Sequence, residues 1–281
     1  EIVHAPDVIT NDDIPTLAIK QKKDSSLVIA LEYLKNNEDA IGMVSAGSTG
    51  AVLTGSILKI GRIKGISRPG LAPILPTVPG GQVMLIDCGA NMDSKPIYLA
   101  HFALMGAAYM RSVAKIENPK VALLSVGVED KKGNELTHEA FKLLKQLPVN
   151  FVGNMEARDI LSGDYDVVVS DGFMGNIALK SLEGMAVNIF TLLKQSIKSS
   201  LRNKIGAAVM KPALKELSAK MDYKNNGGAV FLGVDKIIVK SHGSSKSKSI
   251  TASINQVAAM YREKLIENIK SDLNSVDLNI E

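Results

Sequence analysis

Short runs of β-branched and aliphatic residues alternate along this chain with longer segments whose apolar residues recur at helical spacing. This alternation favours a mostly parallel sheet with helices on both faces, because the connection between two parallel strands must cross the sheet. We therefore predict a three-layer α/β fold, organised as a single domain over residues 1–281. The predicted strands are 2–5, 40–45, 83–87, 121–126, 150–152, 167–170 and 236–240, and the predicted helices are 26–36, 50–63, 96–116 and 135–147.

The composition excludes several classes of protein. A single cysteine, Cys88, excludes an internal disulfide framework and a cysteine-rich zinc site. No apolar run reaches the roughly 18 to 20 residues of a membrane span, and the first residues do not form a signal peptide. The net charge of +4 is mild, and we expect no nucleic-acid partner. These features favour a cytoplasmic globular protein.

Small and polar residues follow five of the predicted strands. In open α/β sheets, ligands bind beyond the carboxyl ends of the strands, so polar turns at those ends are the first candidates for a site. We expect the five turns to share one edge of the sheet and to build the site together. They are 45–50, 87–91, 129–135, 153–158 and 171–176.

The turn 45–50, with the sequence SAGSTG, combines two glycines with three hydroxyls immediately before a predicted helix. Free N–H groups and the helix dipole favour an anion at such a position, so we interpret the turn as a phosphate cradle. The alternative is a turn that only caps the helix. The segment is not a P-loop, because Ser56 stands where that motif has lysine. The chain also lacks the Gly-x-Gly-x-x-Gly motif of dinucleotide-binding folds.

Three other turns carry candidate functional groups, each with a structural alternative. One lysine of the loop 129–135 would bind phosphate or stabilise a developing oxyanion, whereas Lys131 is better explained as part of a solvated loop. The turn 242–245, with the sequence HGSS, offers hydroxyls for an anion or a purely structural histidine. The aspartate and asparagine of the turn 171–176 either line the site or cap the following helix.

Motifs of covalent and zinc catalysis are absent. The sequence contains neither Gly-x-Ser-x-Gly nor His-Glu-x-x-His, and Cys88 has no catalytic context. We therefore expect a reaction that uses no metal ion and no organic cofactor.

The turns above, together with the segment 62–69 (RIKGISRP), resemble the bacterial acyl-acyl-carrier-protein:phosphate acyltransferases of phospholipid synthesis. The resemblance covers nearly the whole chain, and its motifs occur in the same order. It implies a fold similar to isocitrate and isopropylmalate dehydrogenase and to phosphotransacetylase. Members of that family open with a strand and a Met-Gly-Gly-Asp turn, which this sequence lacks, so we expect that N-terminal strand-turn unit to be missing.

The resemblance also implies an activity and a set of partners. The reaction converts acyl-acyl carrier protein and inorganic phosphate into acyl phosphate and free carrier protein. The implied assembly is a homodimer, and the implied consumer of the product is a glycerol-3-phosphate acyltransferase in the membrane. Phosphate is itself the nucleophile and a thiolate is a good leaving group, so binding and oxyanion stabilisation suffice without a catalytic triad.

Together, the turns and the resemblance give a list of candidate site residues. The predicted catalytic residues are Lys132, Asn176 and Asp171. The predicted substrate-binding or phosphate-binding residues are Ser45, Gly47, Ser48, Thr49, Asp87, Asn91, Gly133, Asn154, Glu156, Gly172, Gly175, His242, Gly243 and Ser244.

The region 177–224 is predicted to form a protruding helical hairpin that touches an anionic membrane surface. Between residues 180 and 224 the chain has nine Lys or Arg and three Asp or Glu. Basic residues flank a small apolar stretch, whose predicted contact residues are Val209, Met210 and Lys211. The alternative is a hairpin whose apolar residues pack in the core or in a dimer interface.

Two other functions are compatible with these patterns. A phosphotransacetylase-like enzyme that uses an acyl-CoA donor would need the same anion cradle. A non-catalytic binding protein at the membrane would need only the basic hairpin. A metal-dependent dehydrogenase of the same fold has no cofactor motif in its favour.

Overall fold

The computed structural model describes residues 1–221 and 227–276. The strands are β1 (Gly42–Ser45), β2 (Gly70–Ala72), β3 (Ile74–Pro76), β4 (Gln82–Ile86), β5 (Lys120–Ser125), β6 (Asn150–Glu156), β7 (Val167–Val169), β8 (Ala229–Leu232) and β9 (Ile237–Lys240). The helices are α1 (Pro15–Gln21), α2 (Ser26–Asn36), α3 (Thr49–Gly55), α4 (Pro96–Ser112), α5 (Glu135–Leu144), α6 (Gly172–Lys198), α7 (Leu201–Val209), α8 (Lys211–Met221), α9 (Ser247–Arg262) and α10 (Leu265–Asn274). A π-helical turn (Ser56–Ile60) extends α3, and a 3-10 turn (Ala157–Asp159) follows β6.

The strands form two sheets. One has the order β1-β9-β8-β2, and the other has the order β3-β4-β7-β5-β6. Among the described strands, four pairings are parallel and three are antiparallel. The predicted α/β class with parallel strands is therefore confirmed. The expectation that all five polar turns lie on one sheet is wrong, because the turn after β1 belongs to the four-stranded sheet.

One extended segment connects the two sheets. β2 and β3 are separated only by Pro73, which has no backbone N–H to donate to a ladder. β2 pairs with β8 in one sheet, and β3 pairs with β4 in the other. The carbonyl of Leu71 also accepts a hydrogen bond from the Cys88 backbone N–H at 2.9 Å. The two sheets are therefore held edge to edge.

Helices cover both faces of the five-stranded sheet. On one face, Ile86 of β4 and Val169 of β7 pack into a cluster with α4. On the other face, Leu85 and Val168 pack with residues of α6. This alternation along each strand is the pattern of a sheet buried on both sides.

Helix α4 is the central helix of the fold. Its residues 99–110 are all buried, so it is apolar around its whole circumference rather than along one stripe. It contacts β4, β5 and β7 of one sheet and β8 of the other. Gly106 permits close packing, since a Cβ there would lie 2.6 Å from Val167 of β7. The helix therefore fixes the relative position of the two sheets.

Several local predictions are wrong, and each has a physical cause. The segment 2–5 forms no strand, because only Asp7 nearby makes a bridge, to Ser25. The strands at 70–76 were not predicted, since glycine and two prolines obscure the β pattern there. Helix α4 ends at Ser112 rather than at residue 116.

Helices α6, α7 and α8 form the least buried part of the described chain. Within α6, which is 27 residues long, only Gly172 and Gly175 are buried. Apolar side chains on α6 and α7 are exposed, among them Met185, Val187, Leu192, Leu201, Ile205 and Val209. Residues 222–224 of the predicted hairpin lie outside the described residues. None of the helices described is long and apolar enough to cross a membrane.

Candidate active site

The turn after β4 is organised around the carboxylate of Asp87, which is fully buried. One carboxylate oxygen accepts hydrogen bonds from the backbone N–H groups of Leu71 at 2.9 Å and Ala90 at 3.0 Å. The other accepts the backbone N–H of Asn91 at 2.7 Å and its side-chain amide at 2.9 Å. Burial raises the pKa of Asp87, and these hydrogen bonds oppose that shift. Asp87 therefore shapes the turn from within and presents no free oxygen to a ligand.

The start of α6 packs directly onto this turn. The backbone N–H of Gly172 donates to the Asn91 carbonyl at 2.9 Å. A Cβ at Gly172 would lie 2.4 Å from that carbonyl oxygen, and a Cβ at Gly175 would lie 1.9 Å from the Asp87 carbonyl oxygen. Both positions therefore require glycine because backbone approaches backbone, and the two residues contribute to the site through close packing.

Two polar residues at the start of α6 have different surroundings. Asp171 is the N-cap, and its Oδ1 accepts the backbone N–H groups of Phe173 and Met174, each at 2.9 Å. The structural alternative given for this aspartate is thus present, and its catalytic role stays a prediction. Asn176 instead lies against Gly89, with its side-chain carbon 3.7 Å from the position of a Cβ there. Gly89 adopts a left-handed backbone, at φ +111°, which a residue with a side chain would adopt only with strain.

The turns after β1 and β9 lie side by side, because these two strands are parallel neighbours. The Ser45 carbonyl accepts the backbone N–H of Ser241 at 2.8 Å, and the Ser45 hydroxyl accepts that of Gly47 at 3.2 Å. Nδ1 of His242 accepts the backbone N–H of Ser244 at 3.1 Å. The fold therefore unites the predicted residues of 45–49 with those of 242–244, although two hundred residues separate them in sequence.

A cleft between the two sheets, here called the inter-sheet cleft, encloses about 700 Å³ including open solvent. It brings the predicted residues Thr49 and His242 together with Lys180 of α6 and Lys240 of β9, which the sequence analysis missed. The residues that line it are Thr49, Pro73, Ile74, Leu179, Lys180, Glu183, Gly227, Gly228, Ala229, Lys240, His242, Ser245 and Ser249.

The inter-sheet cleft is electrostatically suited to an anion. Burial and the positive charge of Lys180 lower the pKa of the half-buried Lys240. Nζ of Lys180 lies 2.8 Å from the carboxylate of Glu183, which offsets one of the two positive charges. A bound anion would stabilise the charged form of Lys240. Asn176 and Lys180 are four residues apart on α6, so the same helix face carries both toward the turns.

The loop after β5 lies apart from the inter-sheet cleft, since none of its residues lines that cleft. The hydroxyl of Ser125 donates to the Lys132 carbonyl at 3.2 Å, and the Asn154 amide donates to the Glu129 carbonyl at 2.8 Å. The side chain of Lys132 is exposed, whereas Asn154 is buried and its Oδ1 has no partner among the described residues. Gly133 adopts φ +118° and lies against the first turn of α5. These hydrogen bonds fix the loop after β5, which carries Lys132.

The remaining predicted residues lie outside the inter-sheet cleft. Ser48 is the N-cap of α3, yet its hydroxyl makes no capping hydrogen bond. Glu156 ends β6 and pairs with Arg158 at 2.5 Å. Val209 and Met210 are 78% and 57% exposed, at the junction of α7 and α8, where Lys211 begins α8. In the described ranges, no group of three or more His, Cys, Asp or Glu residues could hold a metal ion.

Comparison with known proteins gives a consistent set of sequence relatives. Residues 1–268 match the family described as fatty acid synthesis protein. The phosphate acyltransferase of Clostridium novyi (strain NT) is 50% identical over 272 residues, which cover 97% of this chain and 81% of that protein. The phosphate acyltransferase of Bacillus cereus (strain B4264) is 46% identical over 277 residues, which cover 99% of this chain and 84% of that protein.

Solved structures resemble the fold at low sequence identity. The EutD phosphotransacetylase from Staphylococcus aureus has a TM-score of 0.56 and 18% identity, over 85% of this chain and 68% of that one. A phosphotransacetylase from Streptococcus pyogenes has a TM-score of 0.53 and 17% identity, over 94% of this chain and 76% of that one. A 4-hydroxythreonine-4-phosphate dehydrogenase from Klebsiella pneumoniae has a TM-score of 0.50 and 13% identity, over 86% of this chain and 71% of that one. These likenesses concern the fold alone.

Two glycines of α6 provide a matched test of the packing at the turn. Gly175→Ala forces a methyl group against the Asp87 carbonyl, and we expect it to lower the free energy of unfolding by about 2–4 kcal/mol. Gly184→Ala meets nothing within 4 Å and should raise that free energy by about 0.5–1 kcal/mol through helix propensity. Urea denaturation of both variants measures the difference. Equal effects would show that α6 does not rest on the turn.

Proposed function

Because the chain belongs to the fatty acid synthesis protein family, together with the phosphate acyltransferases, we propose that it transfers a fatty acyl group from acyl-acyl carrier protein to inorganic phosphate. The family predicted from the motifs is confirmed by these matches. Like its relatives, the chain is an acyltransferase with phosphate as acceptor. Its product, acyl phosphate, would supply phospholipid synthesis.

The proposed reaction makes modest demands on the protein. An oxygen of the phosphate dianion attacks the thioester carbonyl carbon, and the carbonyl electron pair moves onto its oxygen. The tetrahedral intermediate then loses the thiolate, so one C–O bond forms and one C–S bond breaks. The thiolate takes up a proton from water. The protein must hold the phosphate, align the thioester and stabilise the oxyanion.

The observation that carries the proposal is the composition of the inter-sheet cleft. Two lysines, Lys180 and Lys240, line one cleft together with Thr49 and His242. Lysine binds phosphate as a point charge, and hydroxyl groups add hydrogen bonds to its oxygens. Asn176 lies one helical turn before Lys180 and against Gly89, and its amide would donate to the oxyanion.

The carrier-protein donor is the finer part of the proposal. An exposed basic surface favours an acidic protein partner over a small thiol, and α6 to α8 provide lysines and arginines for it, among them Lys194, Lys198, Arg202 and Lys204. Exposed apolar residues of α6 and α7 would pair with a second copy of the chain in the proposed homodimer. The product is amphipathic, so we assign its use to a membrane acyltransferase that acts on glycerol 3-phosphate.

The donor is tested by incubating the protein with palmitoyl-acyl carrier protein and measuring free carrier thiol with and without phosphate. We expect release that depends on phosphate and yields acyl phosphate in equal amount. If palmitoyl-CoA or acetyl-CoA is the much better donor, the carrier-protein assignment is wrong. If no thioester is consumed, the chain is a binding protein instead.

Separate variants test the predicted catalytic contacts. Lys132→Ala, Asn176→Ala and Ser48→Ala should each lower kcat by about 10- to 1000-fold if their contacts form in the transition state. Lys131→Ala is the matched control, because Lys131 is the exposed neighbour of Lys132 and should keep the wild-type rate. Steady-state kinetics on the folded variants gives kcat for each of them. Wild-type kinetics in all three would leave these assignments unsupported.

We further propose that the junction of α7 and α8 touches anionic membrane reversibly. Val209 and Met210 are exposed there, and Arg202, Lys204, Lys211 and Lys215 flank them. Each basic residue near an anionic surface contributes about 1 kcal/mol, and a shallow apolar tip adds to this. Such binding is weak, sensitive to salt and confined to the interface.

Sedimentation with liposomes tests this contact. The wild type should sediment with phosphatidylglycerol vesicles at low salt and should be released as salt increases. Val209→Asp and Met210→Asp should sediment less, whereas Thr191→Asp, on the middle of α6, serves as a charge-matched control. Sedimentation of the aspartate variants at the wild-type level would place the membrane contact elsewhere.

A further inference from the structure

A second, apolar cleft lies between α6, β3 and α8. Its volume is about 820 Å³ when the open solvent at its mouth is included. Its walls include Leu75 of β3 and Leu161 on one side, Leu179, Leu182 and Ala186 of α6 on another, and Leu217 of α8. We call it the apolar cleft.

The apolar cleft adjoins the inter-sheet cleft along α6. Leu179 and Glu183 line both clefts. Along α6, Lys180 faces the first cleft, and Ala186 faces the second. We therefore treat the two neighbouring clefts as one groove along α6, with lysines in the lining of one part and apolar residues in the lining of the other.

A groove of this kind matches an amphipathic anion with a hydrocarbon tail. We propose that the apolar cleft binds the hydrocarbon chain of the acyl group, with the reacting carbonyl directed toward Lys180 and Lys240. This inference rests on the proposed function and adds to it the position of the hydrocarbon chain. Burial of each further methylene group in such a cleft improves binding by about four-fold, so the cleft sets a preference for long chains.

A second apolar groove on the other side of α6 is the competing location. It is lined by Leu124, Ala178 and Met185, among others, and the ion pair of Glu156 and Arg158 borders it. This groove shares no lining residue with the inter-sheet cleft. Of these two, the apolar cleft shares lining residues with the inter-sheet cleft that contains the lysines, and we choose it for that reason.

The same substitution at two positions of α6 tests the inference. Ala186→Phe fills the apolar cleft, whereas Ala178→Phe fills the competing groove. The readout is kcat/KM for a palmitoyl donor divided by kcat/KM for a butyryl donor. We expect Ala186→Phe to lower this ratio by at least about ten-fold relative to wild type. Val187→Phe, at a residue 64% exposed, should leave it within about two-fold.

Leu217→Asp provides a second variant that does not add bulk. It places a carboxylate in the wall of the apolar cleft at a side chain already 45% exposed, so folding should be retained. We expect it to lower the ratio of kcat/KM for the palmitoyl donor to kcat/KM for the butyryl donor as Ala186→Phe does. An unchanged ratio in both Ala186→Phe and Leu217→Asp, or a larger loss in Ala178→Phe, would overturn the inference.

A binding measurement separates this inference from the proposed function. Dodecyl phosphate and butyl phosphate carry the same headgroup, and calorimetry gives their dissociation constants without turnover. The wild type should bind dodecyl phosphate at least about ten-fold more tightly, and Ala186→Phe should remove that difference. If no thioester is consumed but this pattern holds, the proposed function is wrong and the apolar cleft is still a binding site for hydrocarbon chains. If thioester is consumed and the two ligands bind equally, the proposed function is supported but the apolar cleft does not bind the hydrocarbon chain.

Discussion

The buried carboxylate of Asp87 is the interaction on which the site depends. Its two oxygens bind four donors from strand β2 and from the turn that follows β4. An unpaired charge in that position would be strongly unfavourable, so the network fixes the turn and ties it to the strand that joins the sheets. The start of α6 then rests on this turn through Gly172 and Gly175. The direction of α6, and with it the position of Asn176 and Lys180, follows from one buried group.

Helix α6 connects the parts of the proposed mechanism. Its first turn contacts the β4 turn, and its residues 179–186 line the inter-sheet cleft and the apolar cleft. A phosphate, a thioester carbonyl and a hydrocarbon chain would therefore meet successive residues of one rigid element. Positioning on a helix is more accurate than positioning on loops, which suits a reaction whose catalysis is mainly alignment and charge stabilisation.

Local sequence pattern predicted the fold class and the polar turns, because buried strands such as β7 and amphipathic helices such as α2 carry their own periodicity. It did not predict two sheets, since the segment 70–76 contains Gly70, Pro73 and Pro76 and lacks a strand signature. The lysines of the inter-sheet cleft were missed for another reason. Lys240 is the last residue of β9, and only tertiary contact places it beside α6. Lys180 could have been predicted from the sequence, because its spacing of four residues from Asn176 places both on one face of a helix.

The most direct test of the account is a crystal structure of the protein with inorganic phosphate. The account predicts phosphate in the inter-sheet cleft, within hydrogen-bond distance of Nζ of Lys240 and of the hydroxyl of Thr49, with the Asp87 network unchanged. Phosphate bound reproducibly at another position, with the cleft between Lys180 and Lys240 free of anion at saturating concentration, would contradict it.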